Sequence, residues 1–256
     1  MTWLGHASAI AELGGRRILF DPLGRRRARA AGAVDVVAVT HAHVDHLNRW
    51  TLKAIDRAAH LIVPRGARRY VADLGFARVT ETAPGDHVDL GGVDLIAVPT
   101  AHEGGRWRKD DAVLCCGYVI VAAGHAIHHA GDVDFAAHDI FDHIGRDFAL
   151  DASLLPIGGM MPLTYYQRRR HLLDSGVHID PDAALSIFER LGARAMVPVH
   201  WGTLNLRLGS PHAPRHRLVA AANERGKDDH VRVLAHGETL AFSVAAPPTD
   251  GPGTRR

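Results

Sequence analysis

Thr40-His41-Ala42-His43-Val44-Asp45-His46 follows directly on Val34-Asp35-Val36-Val37-Ala38-Val39, an apolar, β-branched run that reads as a buried strand. Three imidazoles and a carboxylate therefore fall within six residues at a strand end. Imidazole together with carboxylate oxygen is the donor mix of zinc and related borderline divalent ions. Side chains alternate along an extended segment, so His41 and His43 share one side, and the turn that follows redirects Asp45 and His46 towards a second point. One ion does not comfortably take all four donors, so two adjacent ions are the natural reading. Beyond the motif, Leu47, Trp50, Ala54 and Ile55 recur at helical spacing and predict an amphipathic helix.

The same pattern of strand, histidine or aspartate, then helix extends outward. Upstream, Ser8–Leu13 and Arg16–Phe20 flank Gly14-Gly15 and predict a hairpin. Downstream, strands are expected at Leu61–Pro64, His87–Leu90, Val93–Pro99, Cys115–Ala122, Ala126–Ala130, Ala152–Ile157 and Met196–Val199. Asp180 followed by Pro181 marks a helix start, and the stripe Leu185, Phe188, Leu191 ends at Gly192. A second helix is expected over Pro211–Arg225, and a closing hairpin over Val231–Leu234 and Thr239–Val244. No linker or repeat interrupts residues 1–245, which read as one domain of the α/β (α+β) class. The Pro/Gly-rich 246–256 reads as a disordered tail.

Composition narrows the function. With 256 residues, 46% apolar and 23% charged, the chain has the make-up of a globular protein with a sizeable core. A formal charge of +2 is too small and too scattered to argue for nucleic acid. No apolar stretch reaches the roughly 20 residues of a membrane span, no export signal is visible, and contact with a membrane would be peripheral. The only cysteines, Cys115 and Cys116, are adjacent on a predicted strand and point to opposite faces; they read as reduced packing residues, in keeping with a cytoplasmic protein. Among the 19 histidines, His60, His87, His125, His138, His212, His230 and His236 have no partner spacing and read as surface or structural.

The motif and the blocks around it resemble the metallo-β-lactamase superfamily, whose fold is a four-layer αββα sandwich with metals at one edge of its two sheets. Trp3-Leu4-Gly5-His6-Ala7-Ser8, Phe20-Asp21-Pro22, Ala130-Gly131-Asp132, Leu155-Pro156-Ile157-Gly158, His178-Ile179-Asp180-Pro181 and His200-Trp201-Gly202-Thr203 are similar to the branch holding N-acylphosphatidylethanolamine-hydrolysing phospholipase D and ascorbate-6-phosphate lactonase. The resemblance implies seven ligands: His41, His43 and His102 at one metal, Asp45, His46 and His200 at the other, and Asp132 bridging both. Two divalent transition-metal ions follow, with zinc favoured by the imidazoles and manganese or iron also compatible. This chain departs from the branch at Val133-Asp134-Phe135, at Gly159-Met160-Met161 and in an insertion over Leu163–Val177.

The chemistry so implied is hydrolysis by a metal-bridging hydroxide, with Asp45 and Asp132 in the catalytic centre and His178 orienting substrate or donating a proton to the leaving group. His6 and Asp21 are expected to orient ligands or to hold the early strands together. Arg106, Trp107, Arg108 and Lys109, with Tyr165, Tyr166 and Arg168–Arg170, either line a pocket for a small-molecule or lipid-like anionic substrate or are solvated loops. Arg25-Arg26-Arg27 and Arg29 read as a solvated loop. The substrate class implied is a phosphodiester, a phospholipid-like molecule or a phosphate-bearing ester or lactone. A nuclease of the same superfamily and a non-catalytic metal-binding protein are the competing readings.

Overall fold

The computed structural model describes residues 1–106, 112–134, 139–159, 178–204 and 210–242. Its strands form two sheets, each laid out in chain order. The first holds β1 (Thr2–Gly5), β2 (Ser8–Leu13), β3 (Arg16–Phe20), β4 (Val36–Ala38), β5 (His60–Pro64) and β6 (Arg78–Thr82). The second holds β7 (His87–Asp89), β8 (Asp94–Val98), β9 (Gly117–Ala122), β10 (His125–His129), β11 (Ala152–Pro156) and β12 (Ala195–Val199). In each sheet the leading strands pair antiparallel and the last ones parallel.

Alternation along the strands builds the layers. Ile18 and Phe20 on β3 face the second sheet and pack with Leu95, Tyr118 and Ile120, whereas Leu19 between them turns to the opposite side with Val37 and Leu61. That outer face is covered by α1 (Arg25–Ala30), α2 (Arg49–Leu52) and the buried Leu47. The far side of the second sheet is covered by α3 (Asp139–Asp147) and α4 (Pro181–Leu191), with α5 (Ala213–Glu224) packed on α4. The result is the expected αββα sandwich. Buried Tyr118 ties the sheets together, its hydroxyl donating to the Val39 carbonyl at 3.0 Å and meeting Thr82 Oγ1 at 3.1 Å.

Helix α4 starts and stops as its sequence dictates. Asp180 accepts from the Ala183 amide at 3.0 Å, a cap worth about 1 kcal/mol, and Gly192 ends the helix in the left-handed region at φ 61°.

Several expectations need correction. The helix predicted beyond the motif is only the four residues of α2, and Trp50 is 69% exposed instead of lying in the apolar stripe; Leu47, Leu52 and Ile55 make the buried contact. Arg25–Ala30 is a helix and not a loop, with Ala28 tucked against the first sheet. Strands β1 and β6 and helix α3 were not anticipated. Among the described residues Val231–Leu234 and Thr239–Phe242 form no hairpin: Val231 bridges Met196 at one sheet's edge, and Thr239 bridges Thr2 at the other's. Cys115 and Cys116 are buried and unbonded, as expected. The tail 246–256 lies outside the described residues, and no described helix is long and apolar enough to cross a membrane.

Candidate metal centre

The chain leaves β4, β8, β10 and β12 at the same end of the sandwich, and each exit carries one or more of the predicted ligands. At β4 the exit is held by Asp21, which itself sits just past β3 at φ 40°. Its carboxylate accepts from the Thr40 amide (2.8 Å), the Thr40 hydroxyl (2.7 Å) and His46 Nδ1 (2.8 Å). A tight turn, with the His46 amide donating to the His43 carbonyl at 3.1 Å, then throws His46 back towards the sheets. Glycines clear the space where neighbours approach closely. A Cβ on Gly131 would lie 2.8 Å from Thr40, and one on Gly158 would lie 2.4 Å from the His200 carbonyl.

The seven predicted ligands converge. His43 Nδ1 lies 2.9 Å from His41 Nε2 and 3.1 Å from His102 Nε2. Asp132 Oδ2 lies 3.8 and 3.9 Å from His41 Nε2 and His102 Nε2, and 3.3 Å from His46 Nε2. The other oxygen, Oδ1, is 3.4 Å from His200 Nε2, which is itself 3.5 Å from Asp45 Oδ2. Asp132 thus touches both halves of the cluster. His41, His43, His102 and Asp132 form one group able to hold a cation, and His6, Asp45, His46 and His200 form another.

Donor chemistry fits such an ion. Four donors about 2.1 Å from a tetrahedral centre stand about 3.4 Å apart, and the contacts above range from 2.9 to 3.9 Å. His46 Nε2, His200 Nε2, Asp132 Oδ1 and His178 Nδ1 are buried with no hydrogen-bond partner, a costly arrangement unless something else satisfies them. The electrostatics of the donors divide. Burial opposes charge on Asp132 and Asp45, but the imidazoles around them, led by His200 and His46 for Asp132 and by His46 for Asp45, hold both carboxyls well below the usual range. Burial, then neighbouring His46, His43 and His102, pushes His41 well down; burial and His102 bring His43 to about 4. His41 and His43 are therefore held in the neutral, lone-pair form that ligates, whereas, against burial, Asp132 and Asp21 push His46 well above the usual imidazole range and Asp134 pushes His102 up.

Residues beyond the seven complete the cluster. His6 Nε2 is 2.9 Å from Asp45 Oδ2 and its Nδ1 is 2.9 Å from Thr203 Oγ1, so His6 sits where an orienting residue was expected, yet close enough to count as a donor itself. His178 Nδ1 is 3.6 Å from Asp132 Oδ2, and its side chain is 25% exposed, more open than His41, His46, His102 or His200. Asp134, named only as a departure from the resembling branch, lies against His102, and Thr203, which stands in the His200-Trp201-Gly202-Thr203 block without an assigned role, lies against His6.

The pocket residues divide. Arg106 donates through Nη1 to the Ala42 and Leu47 carbonyls at 3.3 and 3.1 Å, clamping the ends of the histidine loop. It also lines a groove of about 410 Å³ with Val44, Asn48, Arg49, Trp50 and Lys53. Trp107, Arg108, Lys109, Tyr165, Tyr166 and Arg168–Arg170 lie outside the described residues.

With this geometry in place, comparison with known proteins decides the family: the model described as Beta-lactamase superfamily domain matches residues 16–201. This chain belongs to that family. A metallo hydrolase from the archaeon Ignicoccus hospitalis is similar to it in fold, at a TM-score of 0.69 and 24% identity, over 94% of this chain and 97% of the other. A metal-dependent hydrolase of Pyrobaculum aerophilum is 27% identical over 93% of this chain and 97% of its own length. The mitochondrial N-acyl-phosphatidylethanolamine-hydrolyzing phospholipase D of Saccharomyces cerevisiae is 29% identical over 94% of this chain. The chain spans only 55% of that yeast protein and 65% of a Mycobacterium tuberculosis relative to which it is 28% identical.

Proposed function

We propose that this member of the β-lactamase superfamily is a binuclear metal-dependent hydrolase acting on a phosphodiester, phospholipid-like or phosphate-bearing ester or lactone substrate. The observation that carries the reading is Asp132, whose Oδ2 lies 3.8 and 3.9 Å from His41 Nε2 and His102 Nε2 of one group and 3.3 Å from His46 Nε2 of the other, while its Oδ1 lies 3.4 Å from His200 Nε2. His41, His43 and His102 would hold one ion, Asp45, His46 and His200 the other, and Asp132 both. Bound divalent ions supply an acidified water and neutralise charge gathering on a phosphoryl or carbonyl oxygen. Zinc suits the imidazoles best, and manganese or iron also fit the donor set.

The protein's own contribution is placement. Asp45 is held between His6 and His200, so its free edge is fixed in direction. His178, the more open ring beside Asp132, is placed to orient substrate or to hand a proton to the leaving group. Lys53 and Arg106 give the groove beside Val44 a positive lining, which favours an anionic substrate, while Arg49 there is paired with Asp73 at 2.6 Å, and the Trp50 indole offers an apolar surface. The yeast relative's name, a phospholipase D, is in keeping with a lipid-like phosphodiester.

The test joins elemental analysis of purified protein to turnover assays on phosphodiester, phospholipid and lactone substrates. Two transition-metal ions per chain with turnover of an anionic substrate is the expected result. Metal without turnover of any of them would favour a non-catalytic metal-binding protein, and cleavage of nucleic acid alone would favour a nuclease.

A further inference from the structure

We infer that Asp134 is a positioning residue for the metal centre: through its carboxylate it fixes the His102 ring with Nε2 aimed at the centre, and its backbone ties His102 to His178. The inference rests on the function proposed above. Asp134 stands two residues past Asp132 and is 7% exposed. Its Oδ2 lies 3.1 Å from His102 Nδ1. A carboxylate only accepts, so Nδ1 carries a ring hydrogen, and in the neutral ring the lone pair is on Nε2. Nε2 is the atom that faces His43 Nδ1 at 3.1 Å and Asp132 Oδ2 at 3.9 Å.

The backbone of Asp134 belongs to the same device. Its amide donates to the Ala101 carbonyl at 2.7 Å, which holds the residue before His102, and it pairs with His178 in an antiparallel bridge. Asp134 Oδ1 and His178 Nδ1 are both buried without a hydrogen-bond partner, and His102, Asp134 and His178 each present a donor atom within 4.8 Å of the others. A parallel arrangement serves the other group, where Asp21 takes His46 Nδ1 at 2.8 Å. Each half of the centre has one histidine fixed by a buried carboxylate, and such partners typically govern metal affinity by tenfold to a hundredfold.

The test is zinc titration of the full chain against a competing chelator, comparing wild type with Asp134→Ala and Asp134→Asn. In Asp134→Ala one of the two zinc ions should bind ten to a hundred times more weakly and the other within about twofold of wild type. Asp134→Asn keeps an acceptor oxygen and should fall between the two; it also carries the test alone should the alanine variant fail to fold. In a His102→Ala background Asp134→Ala should change zinc binding no further. Unchanged affinities in both variants, or equal weakening of both ions, would overturn the inference, the second outcome marking a general structural loss. A wild-type chain that binds no zinc, manganese or iron would instead overturn the proposed function.

Discussion

Asp21 and His46 meet at 2.8 Å, carboxylate to Nδ1, at a site where neither side chain is exposed to solvent. The same carboxylate also takes the amide and hydroxyl of Thr40, so one residue from the first hairpin sets both the exit of β4 and the direction of a proposed ligand. Asp21→Ala strands three buried donors at once, each costing about 1–3 kcal/mol when left unpaired. Chemical denaturation should show a loss of roughly 3–9 kcal/mol, and metal analysis should show the ion of the His46 group depleted first. A variant with wild-type stability and full metal content would reject this role.

Asp132 is expected to matter more than any terminal donor, because both groups lose a partner when it is removed. Asp132→Ala should hold little metal and lose several orders of magnitude in turnover while circular dichroism stays native. His102→Ala and His200→Ala should each deplete mainly one ion. The check is metal stoichiometry measured beside activity; near-normal turnover in Asp132→Ala would remove the bridging assignment.

Gly158 makes a steric prediction. A methyl group there would stand 2.4 Å from the His200 carbonyl and 3.1 Å from its Nδ1, and the carbonyl belongs to backbone that cannot swing aside. Gly158→Ala should cost roughly 1–3 kcal/mol and push His200 off its position, where it already sits at the uncommon φ of 60°. Weakened binding of the second ion, measured by chelator competition, should accompany the drop in melting temperature.

The ligands were legible in the sequence because each stands at the end of a strand whose apolar run is itself legible, and because four of them share one short motif. Of their supporting residues, His6 and Asp21 were expected to orient ligands, but the partners they meet were not legible, and Asp134 stood out only as a departure from the resembling branch. Asp21 and His46 are 25 residues apart, Asp134 and His102 are 32 apart, and only the assembled sheets bring them together. The closing hairpin failed for a related reason. Gly237 marks a turn either way, but the backbone around it pairs with β1, the Gly237 amide donating to the Trp3 carbonyl at 2.7 Å, and local alternation cannot tell self-pairing from edge-pairing. Arg106 reads in sequence as either pocket charge or solvated loop, whereas the Ala42 and Leu47 carbonyls of the histidine loop give its guanidinium another duty.

Acid sensitivity should arise away from the metal centre, at His128. Burial first, then neighbouring His129, pushes this ring down to about 3, and its Nε2 is enclosed without a partner. An unfolded chain protonates the same ring near 6.5, so the neutral ring favours the fold fully above that pH, and this stability drains away as pH falls towards 3. Between pH 7.5 and pH 5 the loss from this one group is about 2 kcal/mol. His128→Gln, which cannot titrate, should flatten that part of the stability profile in urea unfolding. An identical slope in the variant would show that other groups, such as His60 at about 4, carry the effect.

Arg106 separates two contributions that a single substitution could confuse. Its guanidinium holds the Ala42 and Leu47 carbonyls, so Arg106→Ala should loosen the histidine loop and lower stability whatever the substrate. The same side chain lines the groove with Arg49 and Lys53, and its fixed positive charge would attract an anionic group arriving there. Loop loosening affects charged and neutral substrates alike, whereas a lost ionic contact affects only the charged one. The informative quantity is therefore the ratio of KM values for an anionic ester and its neutral analogue. A charged hydrogen bond of about 1.5–3 kcal/mol corresponds to a rise of roughly tenfold to a hundredfold in that ratio. Lys53→Ala, which leaves the loop carbonyls untouched, should raise it in the same direction with less loss of stability. If both variants leave the ratio unchanged while Arg106→Ala lowers the melting temperature, Arg106 serves the loop alone, and the anionic end of the substrate binds elsewhere.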